Sequence, residues 1–140
     1  MATGRDLAEQ LLRRAADDEA AARAMLPLES VTNAIVGFHA QQAVEKSLKA
    51  VLAARDVEFP FIHDVGGLTE LCEEAGVSLP EELAGVDRLT PYAAGLRYDD
   101  DQTSIVVRET ALKWATVAVA WARGEVQGEG PRAASPGASS

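Results

Sequence analysis

The stretch VTNAIVGFHAQQAVEKSLKAVLAAR, residues 31–55, decides the fold. It holds no Pro and only one Gly, Gly37, so a single long helix over about Val31 to Arg55 is expected. At about 100° per residue, Ala40, Ala43, Ser47, Ala50 and Ala54 make a face of small side chains, with Val44, Leu48, Val51 and Leu52 as a bulky apolar stripe beside it. Two neighbours can pack on such a helix, which places it at the centre of a bundle. A third strip carries Gln41, Gln42, Glu45 and Lys49, and Glu45 precedes Lys49 by one helical turn in the favourable orientation for a pair.

The flanks support the same architecture. Before it, Asp6 to Met25 is rich in Ala, Leu, Glu and Arg, with Leu7, Leu11, Ala15, Ala22 and Leu26 near helical spacing, and Pro27 ends that helix. After it, Asp64 is placed to cap a short helix over Val65 to Glu74, which Gly76 terminates in the left-handed conformation. Ser78-Leu-Pro-Glu81 reads as a capping box that opens a fourth helix, carrying Leu83, Val86, Leu89, Tyr92 and Ala93 inward and interrupted near Pro91. A last helix is expected over Thr103 to Glu125, with Ile105, Val106, Leu112, Trp114, Val117, Val119 and Trp121 on its apolar face. No strand-like alternation of useful length occurs, so the expected fold class is all-α, an up-down bundle of four to five helices. The bundle is expected over residues 1–127. The tail, 128–140, holds only Gly, Glu, Pro, Arg, Ala and Ser and is expected to be disordered.

With 140 residues, 47% hydrophobic and 25% charged, the chain has the balance of one globular domain. Thirteen Lys and Arg against 22 Asp and Glu give a net charge of -9, which opposes nonspecific attraction to nucleic acid or to an anionic membrane. Cys72 is the only cysteine, so an internal disulfide and a cysteine-based zinc site are excluded. No window approaches the roughly 18 uninterrupted apolar residues of a membrane span, and the opening residues, MATGRDLAEQLLRR, go straight into mixed charge without an apolar stretch. A cytoplasmic location, with no membrane association, is expected.

Within the central stretch, Phe38-His-Ala-Gln-Gln-Ala-Val-Glu-Lys-Ser-Leu-Lys-Ala50 resembles the second helix of HEPN domains, the higher eukaryotes and prokaryotes nucleotide-binding family. Two further segments fit in order and spacing. Ile62-His-Asp-Val-Gly-Gly-Leu68 resembles the family's His-Asp followed by an apolar helix, and Tyr92-Ala-Ala-Gly-Leu-Arg-Tyr98 its Arg-Tyr segment before the final helix. The resemblance implies a helical bundle that pairs as a homodimer, with a groove for a mononucleotide or RNA. It also implies a minimal nucleotidyltransferase as partner, the two forming a toxin and antitoxin pair. The ribonuclease members of the family cut RNA without metal, and carry an Arg followed, after four to six residues, by a His. Here Arg97 is followed by Tyr98, Asp99, Asp100, Asp101, Gln102 and Thr103, with no histidine. Arg55 and His63 have seven residues between them and lie in another connection.

Metal-free RNA cleavage needs a group to take the 2′-hydroxyl proton and another to steady the phosphorane, roles suited to His and Arg. The chain has two histidines. His39 reads as a packed or surface residue. His63 reads as a structural residue beside the cap Asp64 or, with Arg97, as a catalytic pair. Arg97 and Tyr98 read as a salt bridge and a half-buried ring or as groups that hold a phosphate and stack a base. Lys46 and Lys49 add positive potential to that site or form ordinary helix pairs, and Gln41, Gln42 and Glu45 line the groove or hydrogen-bond across a dimer or to the third connection. The nucleotide or RNA site is therefore expected at Gln42, Lys46, Lys49, Asp64 and Tyr98. No cofactor or metal is expected. A di-iron bundle, a phosphate-binding glycine loop and a nucleophile turn all lack their residues.

Three functions fit these residues: a nucleotide- or RNA-binding module without hydrolytic activity, a metal-independent endoribonuclease toxin using His63 and Arg97, and a dimer scaffold without ligand. The missing nuclease spacing favours the first.

Overall fold

Thr3 opens the first helix with a reciprocal cap: its hydroxyl accepts from the Asp6 amide at 3.1 Å, and the Asp6 carboxylate accepts from the Thr3 amide at 3.0 Å. The computed structural model describes residues 3–60, 63–94 and 106–128. In it α1 spans Gly4–Met25, α2 Asn33–Ala54, α3 Val65–Glu74 and α4 Arg108–Arg123. Two 3-10 segments, Glu81–Leu83 and Val86–Ala94, lie between α3 and α4, and a π turn, Gly124–Gly128, follows. Every regular element among the described residues is helical, as expected of an all-α chain. None of these helices is long and apolar enough to cross a membrane.

Gly4 packs against Ala53 while Ala22 packs with Val36, so α1 and α2 run antiparallel. The approach at the first of these points is close: a Cβ on Gly4 would lie 2.5 Å from the Ala53 carbonyl oxygen. This contact turns Ala8, Leu12 and Ala15 inward and leaves Leu7 40% exposed. Small residues face α2 because only they permit that approach. The second helix is buried along most of its length, with Ala40, Ala43, Val44, Leu48, Ala50, Val51 and Leu52 all fully covered. Past its end Asp56 takes φ 57°, and the Val57 amide returns to the Leu52 carbonyl at 2.9 Å, a left-handed helix cap.

Asp64 caps α3 through a 3.1 Å bond from the Gly67 amide, and Gly76 ends the following turn at φ 83°. Cys72 is buried under α2. Burial, assisted by the neighbouring charge of Glu73, pushes its thiol up to about 12, so it is unreactive at neutral pH.

The expected fourth α-helix does not form. No side chain caps Glu81–Leu83, so the apparent capping box is unused, and Gly85 at φ 86° separates the two 3-10 segments. Leu83, Val86, Leu89 and Tyr92 are nonetheless buried as expected. Their strict spacing of three matches the period of a 3-10 helix, in which residues three apart eclipse. The last helix begins at Arg108, later than expected. Its first turn is fixed by the Arg108 guanidinium, which donates to the carbonyls of Leu26, Leu28 and Val31 in the α1–α2 connection. At the other end Arg55 and Glu125 pair at 3.0 Å, so α4 runs parallel to α2. Ile105 and the tail from 129 onward lie outside the described residues.

Candidate functional site

Glu45, only 3% exposed, sits in the middle of α2 with four polar contacts. Its Oε1 accepts from Gln41 Nε2 at 2.7 Å, and its Oε2 accepts from Lys49 Nζ at 2.7 Å. The His63 Nδ1 lies 2.9 Å from Oε1 and 3.1 Å from Oε2. A buried carboxylate is tolerated only when paired and hydrogen-bonded in this way. Burial raises the Glu45 carboxyl, but the hydrogen bonds from Lys49, His63 and Gln41, with the Lys49 charge, outweigh it and hold the group below its ordinary value of 4.5.

The arrangement fixes the imidazole. With Nδ1 donating to an ionised Glu45, the opposite nitrogen faces outward on a side chain that remains 65% exposed. Glu45 and Lys49 balance one another, so a proton taken up on His63 leaves the cluster with one net positive charge, suited to an anion. Gln42 extends the network by donating to Gln41 Oε1 at 2.7 Å. Lys49 also stands 5.7 Å from the centre of the Phe59 ring, which shields one side of the ammonium.

Of the residues expected at the site, the structure thus brings together Gln42, Lys49 and His63, with Gln41 and Glu45 as the links. Lys46 belongs elsewhere. Its Nζ bonds Asp18 Oδ2 on α1 at 2.6 Å, and His39 Nδ1 meets Asp18 Oδ1 at 3.0 Å. Lys46 and His39 therefore share a carboxylate on the α1 side of α2, a cluster separate from that of Glu45. Asp64 follows His63 in sequence, but its carboxylate is engaged by the α3 cap. Arg97 and Tyr98 lie outside the described residues.

Reading the sequence missed Asp18 and Phe59. Asp18 stands among Asp17 and Glu19 on a surface helix, and nothing in its spacing marks it as the residue that meets α2. Phe59 precedes Pro60 in a connection with no periodicity.

A family model described as HEPN domain matches residues 8–124. No curated protein and no solved structure matches the chain.

Proposed function

The chain belongs to the HEPN domain family, and on that premise we propose that it is a nucleotide- or RNA-binding module without hydrolytic activity of its own. It acts as a homodimer beside a minimal nucleotidyltransferase, in a pair of the toxin and antitoxin type. The observation that carries this reading is the position of His63: its Nδ1 is tied to the buried Glu45 at 2.9 Å while the ring stays largely exposed. With Nδ1 donating to Glu45, the other ring nitrogen donates to a phosphate oxygen when the ring is the imidazolium, a charge-assisted bond. The Arg97-Tyr98 segment supplies a guanidinium and a phenol for the same ligand. The net charge of -9 favours a mononucleotide over a long nucleic acid.

One feature favours a second reading, a metal-independent endoribonuclease. A carboxylate behind an imidazole also orients a general base, and His63 with Arg97 then forms the catalytic pair. Against it stands the sequence, in which no histidine follows His63.

Cells expressing the chain alone, with His63→Ala and Arg97→Ala versions alongside, separate the two. The binding-module reading predicts normal growth and intact RNA for all three. Growth arrest with RNA cleavage that both substitutions relieve would establish the nuclease.

A further inference from the structure

A groove of about 730 Å³ opens beside the Glu45 cluster, and Lys49 is part of both. Leu7 and Leu11 of α1 line it from one side, and Val57 and Phe59 of the α2–α3 connection from another. Leu7 is 40% exposed there, an apolar residue that α1 turns away from the core and toward this opening. The volume lies within the usual range for small-ligand sites, and such sites pair apolar walls with a few polar groups.

The polar groups are unequal in sign. Asp56 and Glu58 stand at the groove. Lys49 is the cation among the described lining residues, and its charge is already met by Glu45 at 2.7 Å. The groove therefore offers apolar surface together with two carboxylates that pair with no cation among the described residues. Its natural occupant has an apolar, planar body and N–H donors on its edge.

Lys49 joins this groove to the exposed imidazole. Its Nζ lies 2.7 Å from Glu45 Oε2 and 5.7 Å from the Phe59 ring centre, and Glu45 in turn holds His63 at 2.9 Å. An anion on His63 and a planar N–H donor in the groove are the two ends of one nucleotide. We infer that the groove is the base subsite of the nucleotide site, taking an amino-bearing base such as adenine in preference to uracil. The apolar walls hold the ring, and Asp56 and Glu58 accept from its exocyclic amine. The inference rests on the reading of His63 as the phosphate-binding group.

Calorimetric titration of the full chain with adenosine monophosphate, uridine monophosphate and ribose phosphate tests it, using wild type, Leu7→Glu and His63→Ala. Adenosine monophosphate is expected to bind at least about tenfold more tightly than either of the others, the scale set by roughly 1.4 kcal/mol of base contact. Leu7→Glu is expected to reduce its affinity to that of ribose phosphate. Because Leu7 is exposed, this variant should keep its fold, which a thermal melt checks. Equal binding of adenosine monophosphate and ribose phosphate by the wild type would overturn the base subsite and leave the phosphate reading standing. Tight adenosine monophosphate binding that survives His63→Ala but not Leu7→Glu would retain the groove and overturn the role of His63. Binding of none of the three would overturn both.

Discussion

His63 and Glu45, 18 residues apart in sequence, meet at 2.9 Å and so join a buried charge to an exposed imidazole. Lys49 completes the pairing from one turn along α2. Replacing Glu45 by Gln keeps the shape but leaves the Lys49 ammonium, 12% exposed, without its counter-charge. The expected loss is about 3 kcal/mol, since breaking a buried pair strands the remaining charge. Denaturant unfolding measures it, and adding Lys49→Met should recover most of the loss.

The same carboxylate makes stability depend on acid. Its folded pKa lies below the ordinary 4.5, so folding favours the ionised form. The contribution is complete above 4.5 and is lost as pH falls through the lower folded value. Wild type should therefore lose stability below pH 4.5 more steeply than Glu45→Gln, whose side chain does not titrate. Parallel denaturation midpoints over that acid range for both proteins would contradict this assignment.

Gly37 has a packing role that helix propensity hides. A Cβ there would lie 2.6 Å from Tyr92 Cε1, and the ring is buried with its hydroxyl accepting from the Val106 amide at 3.3 Å. Ala normally strengthens a helix relative to Gly. Here Gly37→Ala should instead destabilise by about 1–3 kcal/mol, the usual cost of overpacking. A thermal melt at or above the wild-type midpoint would rule out the tight contact.

Arg108 is the fastener of the α1–α2 connection. It donates to the Leu26 and Leu28 carbonyls at 3.3 Å each and to that of Val31, spanning three carbonyls with one planar fork. Arg108→Ala should cost about 2 kcal/mol, the scale of charge-assisted hydrogen bonds. Arg108→Lys should restore little, because an ammonium lacks the fork. Hydrogen exchange of the Leu28 and Val31 amides reads the loosening directly.

Elements governed by local chemistry were legible in the sequence. Residues 31–55 read as one helix because nothing in them breaks it, and Asp64 and Gly76 bracket α3 by cap chemistry alone. Ser78-Leu-Pro-Glu81 misled because a capping box is also a sequence of common residues, while the positive φ of Gly85 and the exact period of Leu83, Val86, Leu89 and Tyr92 carried the contrary signal. At the site, the polar strip of Gln42, Glu45 and Lys49 and the His63 connection were expected together, the Glu45–Lys49 pair from spacing alone. The particular choice of Glu45 by His63 and of Asp18 by Lys46 was not legible, because it depends on how helices dock, and Lys46 and Lys49 diverge although they are close in sequence. The exposure of Leu7 was not legible for a related reason: the close approach at Gly4 sets the rotation of α1.

As a nucleotide-binding group, His63 meets the ligand's phosphate through the ring nitrogen that Glu45 does not hold. Long-range proton–nitrogen spectra of the two imidazoles, recorded while adenosine monophosphate is added, test it most directly. The outward nitrogen of His63 is expected to shift saturably while His39, held by Asp18 on the other side of α2, does not. Shifts confined to His39, or no shift of either ring, would contradict it.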